Sequence, residues 1–220
     1  MESNTDVNTK GAAKTGKGPT LIVAVEQNFP QEERIINDAL APKFFSGIDL
    51  FWLQLTKISV FRNWIVGLTE KALPGGWSCF LVRKRYIDER LLEAAENREV
   101  EAVVNLGAGF DTRLYRLEAL SNIPCWEVDQ PINIAAKERA LKRAFKTVPE
   151  NVTLTGMNFV EQEIGESLKQ SGYQAGVRTF FIWEAVSQYL NEASVKKTFN
   201  FFAKAPAGSQ LVFTYIPRDF

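Results

Sequence analysis

From residue 101 to residue 216 the chain alternates short apolar runs with stretches of helical periodicity, and that alternation leaves few folds open. The runs at residues 101–106, 123–128, 152–157, 178–183 and 210–216 read as strands; residues 112–120, 132–145, 161–170 and 194–204 read as helices. A strand followed by a helix of about 10–15 residues and then another strand is a crossover unit, so the strands run parallel and the helices cover both faces. The expectation is a doubly wound, mostly parallel α/β sheet. Its fifth strand runs almost to Phe220, and a parallel sheet finishing there would carry a bare edge. The expectation is therefore a chain truncated after the fifth strand, with the edge covered by a further C-terminal portion or by a partner, a homo-oligomer included.

Upstream, residues 20–73 are helical and apolar in pattern, with one segment opening at residues 31–36 and a long aromatic and aliphatic stretch over residues 44–68. Asp49, Lys57 and Arg62 interrupt that stretch at intervals shorter than the roughly 20 apolar residues a bilayer requires, so no membrane span is expected and an interfacial helix is the remaining membrane alternative. Phe44, Phe45, Phe51, Trp52, Trp64 and Trp77 are expected to be core, with an apolar lid over a substrate as the alternative. Pro74-Gly75-Gly76 is a turn signal, and helical periodicity resumes over residues 78–98. The domain reading is a disordered tail at residues 1–19, a helical lid or extension at 20–77 and an α/β domain at 78–220, forming one globular unit.

Composition excludes more than it selects. The 26 basic and 26 acidic residues cancel, so no global field draws the chain to nucleic acid, which leaves small-molecule chemistry as the expectation. Two cysteines, Cys79 and Cys125, build no disulfide framework, which points to a reducing, cytoplasmic setting. The chain has no histidine, so catalytic triads, Cys-His pairs and imidazole bases are excluded.

The strongest local signal is Val103-Val104-Asn105-Leu106-Gly107-Ala108-Gly109-Phe110-Asp111-Thr112, an apolar strand entering a glycine-spaced turn and then a helix. Glycines there let backbone approach a nucleotide-like ligand beyond the carboxyl ends of the strands. The second strand ends in Trp126-Glu127-Val128-Asp129, which puts Asp129 close to the ~20-residue spacing at which a carboxylate reaches ribose hydroxyls. Glu127 is expected to point away from the ligand. Thr112 stands where a dinucleotide fingerprint has its third glycine, which favours an adenosine-type methyl donor over NAD(P), with an NAD(P)-dependent oxidoreductase as the alternative.

The run Asn105 to Arg113, then Arg116-Leu117, Glu127-Val128-Asp129-Gln130-Pro131 and Lys137 resembles the leucine carboxyl methyltransferase family. Arg83-Lys84-Arg85-Tyr86-Ile87-Asp88 and Trp183-Glu184-Ala185-Val186-Ser187-Gln188-Tyr189-Leu190 extend the resemblance. It implies a Rossmann-like class I methyltransferase using S-adenosyl-L-methionine, with S-adenosyl-L-homocysteine as product and no metal. It further implies that Arg83 pairs with the methionine carboxylate of the methyl donor, that Gly107, Ala108 and Gly109 line its backbone, and that Asp129 holds the ribose diol. Asn158 and Phe159 stand beside the adenine where the family usually shows Asp-Leu, and Glu184 faces the methyl donor near its sulfonium. Ala185 replaces a residue that is often glycine. Without imidazole, an acceptor already ionised near neutral pH is the simplest nucleophile, which favours carboxyl O-methylation over attack by a hydroxyl; a small metabolite or a peptide C-terminus would supply it. No catalytic base is identified. A module that binds the methyl donor without transferring methyl is the alternative from a different class.

Overall fold

The computed structural model describes residues 17–145, 148–159 and 161–216. Most of the expected tail therefore lies outside the described residues; Gly18 and Pro19 already belong to α1 (Gly18–Glu26).

The five strands are β1 (Ala102–Leu106), β2 (Cys125–Asp129), β3 (Val152–Gly156), β4 (Thr179–Trp183) and β5 (Gln210–Phe213). They form one sheet in the order β3-β2-β1-β4-β5, every neighbouring pair parallel. The three inner strands are buried at every position, as their unbroken apolar runs demand, while β3 and β5 at the edges are only partly covered. Alternate residues feed two cores. Val103, Phe180 and Ile182 pack on one face with Ile87, Leu91 and Ala94 of α4 (Gly76–Glu96). On the other face Val104, Leu106, Phe181 and Trp183 meet Ile164 and Leu168 of α7 (Ile164–Gln170) and Phe202 of α8 (Glu192–Phe202). Helices thus cover both faces, and the doubly wound α/β architecture holds.

Between β1 and β2 the expected nine-residue helix is a single turn, α5 (Arg113–Arg116), followed by a 3-10 turn at Glu118–Leu120. The break is at Leu117, which is extended, and both arginines of the turn are committed to carboxylates elsewhere. Between β2 and β3 runs α6 (Pro131–Phe145), whose Ala140 and Leu141 close a third core with Leu40, Phe44 and Phe110.

The N-terminal region divides its aromatics. Its long apolar stretch becomes two helices, α2 (Gly47–Leu55) and α3 (Ser59–Ala72). Leu53 faces inward, with Phe45, Trp77 and Leu81 in the same core, and Phe44 is buried nearby. Phe51, Trp52 and Trp64, by contrast, are 54%, 51% and 58% exposed, which corrects the expectation of core for those three. With Phe61 they form a surface ladder of rings whose centroids lie 5.6, 6.1 and 5.8 Å apart. Among the described residues no helix is long and apolar enough to cross a membrane.

Candidate functional site

Because every strand is parallel, all five carboxyl ends lie along one edge of the sheet. The chain leaves β1 toward β2 and β3, then crosses back to β4 and β5, so the strand order reverses between β1 and β4. A crevice outside the carboxyl ends at such a reversal is where ligands of doubly wound sheets bind. The segments following β1 and β4 there are Gly107-Ala108-Gly109 and Glu184-Ala185-Val186.

Gly107 adopts a φ of +73°, and a Cβ on it would meet Val186 Cγ2 at 2.2 Å, so both the backbone conformation and the close approach require glycine. Ala108 is buried behind it. Gly109 donates its N–H to Asp129 Oδ2 at 2.6 Å, which joins the turn to the end of β2. The other oxygen of Asp129 accepts from Gln130 N at 2.6 Å and Asn133 Nδ2 at 2.8 Å. An ionised carboxylate has about four acceptor sites, so Asp129 is fixed by three bonds and retains capacity for another. Met157 N donates to Asp129 O at 2.8 Å, which carries the half-buried Asn158 and Phe159 to the same edge.

Glu127 and Asp129, two residues apart, share a face of β2, contrary to the expected alternation. Depth separates them. Glu127 is 0% exposed and is held by Lys137 Nζ at 2.6 Å and by the Tyr115 hydroxyl, which donates to it at 2.5 Å. Burial raises the Glu127 carboxyl to about 7 even with both partners in place.

Arg83 and Glu184, drawn from α4 and the end of β4, meet directly. Arg83 Nε donates to Glu184 Oε1 at 2.8 Å, and the Arg83 fork lies over the Phe80 ring. Among the described residues Arg83 Nη2 is buried without a hydrogen-bond partner. Glu184 caps no helix; the N-terminus of α8 is capped instead by Asn191, whose side chain accepts from Ser194 N. Ala185 sits at φ +57°, a left-handed conformation that a non-glycine residue adopts at a cost, and its N–H donates to Thr214 Oγ1 at 2.7 Å. The Ser187 hydroxyl donates to the Thr214 carbonyl, so the segment beyond β5 pins the turn.

Around this pair lies a set of buried charges that sequence reading left without a role. Arg113 is 0% exposed; its Nη2 donates to Glu184 Oε2 at 3.0 Å, its Nη1 lies 3.0 Å from Asp111, and its Nε donates to Asp88 at 3.1 Å. Lys84 lies 3.4 Å from Asp111 and 3.5 Å from Glu184. Arg116 bridges Asp88 and Asp38, and the Thr112 hydroxyl donates to Asp38. Position 112 is thus a tether to the N-terminal region where a dinucleotide turn has its third glycine. Burial alone would raise Asp111, but Arg113 and Lys84 outweigh it and hold the carboxyl well below the usual range. Glu184 is likewise lowered against burial, by Lys84, Arg113 and Arg83. Lys84 and Asp88, four apart on one helix, and Arg113 with Arg116, three apart on the next, were the available signals, but such spacings describe solvated helix faces equally well.

The model of the leucine carboxyl methyltransferase family matches residues 17–203. The chain is 30% identical over 172 residues to a candidate S-adenosyl-L-methionine-dependent methyltransferase of Mycobacterium marinum, covering 73% of this chain and 55% of that protein. It is 34% identical over 114 residues to YktD of Bacillus subtilis, named likewise, covering 51% and 37%. The chain thus spans about half or less of the length of these relatives. Among solved structures, a DUF574 family protein from Streptomyces avermitilis superposes with a TM-score of 0.52 at 13% identity, covering 70% of this chain and 61% of that one, which shows a shared fold. The chain belongs to the leucine carboxyl methyltransferase family.

Proposed function

We propose that this chain carries the methyl-donor site of an S-adenosyl-L-methionine-dependent O-methyltransferase. The observation that carries the reading is the meeting of Arg83 and Glu184 across the strand reversal, 101 residues apart in sequence, beside a glycine turn bonded to Asp129. A guanidinium with an unsatisfied buried nitrogen beside an ionised carboxylate is complementary to the zwitterionic end of an amino acid. Asp129, with acceptor capacity left, suits a ribose diol about where such a carboxylate is expected. Asn158 and Phe159, on the far side of Asp129 from the glycine turn, are assigned to the adenine, an amide edge and a ring face. The residues present therefore fit the methyl donor.

The bound methyl donor would supply an electrophilic methyl group on a sulfonium. The chain's own contribution is placement: Arg83 and Glu184 fix one end, Asp129 the ribose, and the Gly107 to Gly109 backbone the floor between them. In-line displacement gains chiefly from such alignment and from exclusion of water. The acceptor is proposed to be a carboxylate of a small metabolite or of a peptide C-terminus, because an ionised acceptor needs no proton removed and the chain has no histidine to remove one.

Calorimetric titration with S-adenosyl-L-methionine and S-adenosyl-L-homocysteine tests the reading on the chain and on Asp129→Ala. Micromolar-range binding by the first and a loss of about tenfold or more in the second is expected. Absence of binding to the unaltered chain would overturn it. Binding with no methyl transfer to any carboxylate or hydroxyl acceptor would reduce it to a donor-binding module.

A further inference from the structure

Glu184 reaches Arg83 through one oxygen only. Its second oxygen is taken by Arg113, whose planar guanidinium is wholly buried, whose Nε donates to Asp88 and whose Nη1 lies 3.0 Å from Asp111 as an ion pair without a hydrogen bond. Among the described residues no hydrogen bond or ion pair joins Arg113 to Arg83 or to the glycine floor. It stands behind Glu184. Lys84 approaches the same oxygen less closely, at 3.5 Å, and Asp111 is the nearby carboxylate that opposes Glu184's ionisation.

We infer that Arg113 is a positioning residue for the methyl-donor site: anchored by Asp88 and Asp111, it holds Glu184 aimed at Arg83, so that the pair is formed before the amino-acid end of the methyl donor arrives. This rests on the reading of Arg83 and Glu184 given above. The fork geometry matters as much as the charge, since three carboxylates are met from three nitrogens of one rigid plane. An ammonium at this position would neutralise Glu184 without fixing its direction. A neutral side chain would leave Glu184 with Lys84 and Arg83 against burial and Asp111, which moves its carboxyl upward.

The test compares two ligands that share the nucleoside but differ at the amino-acid end, S-adenosyl-L-homocysteine and 5′-methylthioadenosine, titrated calorimetrically between about pH 5.5 and pH 8. For the unaltered chain, S-adenosyl-L-homocysteine should bind more tightly than 5′-methylthioadenosine, with little pH dependence across that range. Arg113→Lys should weaken S-adenosyl-L-homocysteine by about tenfold while changing 5′-methylthioadenosine by less than about twofold. Arg113→Gln should add a pH dependence confined to S-adenosyl-L-homocysteine, affinity falling as the pH falls. Where neither variant folds, Asp88→Asn, which loosens the anchor without touching Glu184, should show the same selective loss at smaller size. Equal weakening of both ligands, or no weakening of either, would overturn the positioning role and leave the site reading intact. If the unaltered chain failed to distinguish the two ligands, the site reading itself would fall, and this inference with it.

Discussion

Glu184 and Asp111 on one side, and Glu127 on the other, are carboxylates buried at the same edge of the same sheet, yet burial wins only at Glu127. Glu184 lies within 4 Å of three cations, Arg83, Lys84 and Arg113, and Asp111 of two, and both stay below the usual carboxylate range. Among the described residues Glu127 has one cation, Lys137, and one phenol, and its carboxyl rises to about 7. The partners differ in kind as well as number. A guanidinium is weakly hydrated and offers several donors in a plane, whereas an ammonium gives up a strong hydration shell when buried. The cluster proposed to meet a charged ligand is thus held ionised, and the triad beneath it is balanced near neutrality.

Removing the single cation of the triad is the largest expected effect. Lys137→Met should cost about 3–5 kcal/mol at pH 8, where Glu127 loses its cation and must either stay buried and unpaired or take up a proton from a dilute supply. At pH 5.5 the same substitution should cost far less, because Glu127 is then already protonated. Chemical denaturation at the two pH values measures the difference. A loss equal at both would mean that packing of the lysine stem, and not the pair, is what the substitution removes.

The pH dependence of the unaltered protein separates the two sets. The folded state holds the Glu127 proton more tightly than the unfolded state does, so this stabilising contribution is complete below about pH 4.5 and is lost as the pH rises to about 7. The span is worth roughly 3–4 kcal/mol. Asp111 and Glu184 act in the opposite direction: their contribution is present above the ordinary carboxylate range and is lost as the pH falls from that range through their depressed folded-state values. A chain without histidine has no imidazole to obscure the window between. Denaturation curves should therefore show stability declining from about pH 4.5 to pH 7 in the unaltered protein, and Glu127→Gln should flatten that limb while leaving the acid limb in place. A decline unchanged in Glu127→Gln would assign it to another group.

How much of this was legible in sequence follows from how local each determinant is. The sheet was legible because β1, β2 and β4 are short, wholly buried runs between turn signals, and a parallel strand buried on both faces reads as such in one dimension. Asp129 was legible through its spacing from the glycine turn, and Arg83 and Glu184 through the family resemblance. The α5 region was not, since Leu117 breaks a pattern whose apolar spacing alone continues through residue 120. The aromatic stretch was half legible. In α2 both Leu50-Leu53 and Ile48-Phe51-Trp52 make helical stripes, and periodicity does not say which one faces inward; the aliphatic stripe does. The charge cluster was beyond reach because Asp38, Lys84, Asp88, Arg113 and Glu184 come from separated segments, and each taken singly is an ordinary charged residue of a helix or loop.

The smallest expected effect probes why Glu127 stops near neutrality. The Tyr115 hydroxyl donates to it at 2.5 Å, and burial together with Glu127 keeps that phenol well above its ordinary range, so it remains a proton donor throughout. Lys137 Nζ lies 5.4 Å from the centre of the same ring, which joins all three groups. Tyr115→Phe keeps the ring and its cation contact and removes only the hydroxyl. The loss should be about 1.5–3 kcal/mol at pH 8, the range for a hydrogen bond to a charged group, and smaller at pH 5.5, where the acceptor is neutral. The Glu127 carboxyl should rise further, read as a shift of its carboxyl 13C titration midpoint to higher pH, with Glu127→Gln assigning the signal. A midpoint that stays in place would mean that Lys137 alone sets the balance, and the contrast with the arginine-rich cluster would then reduce to a count of cations.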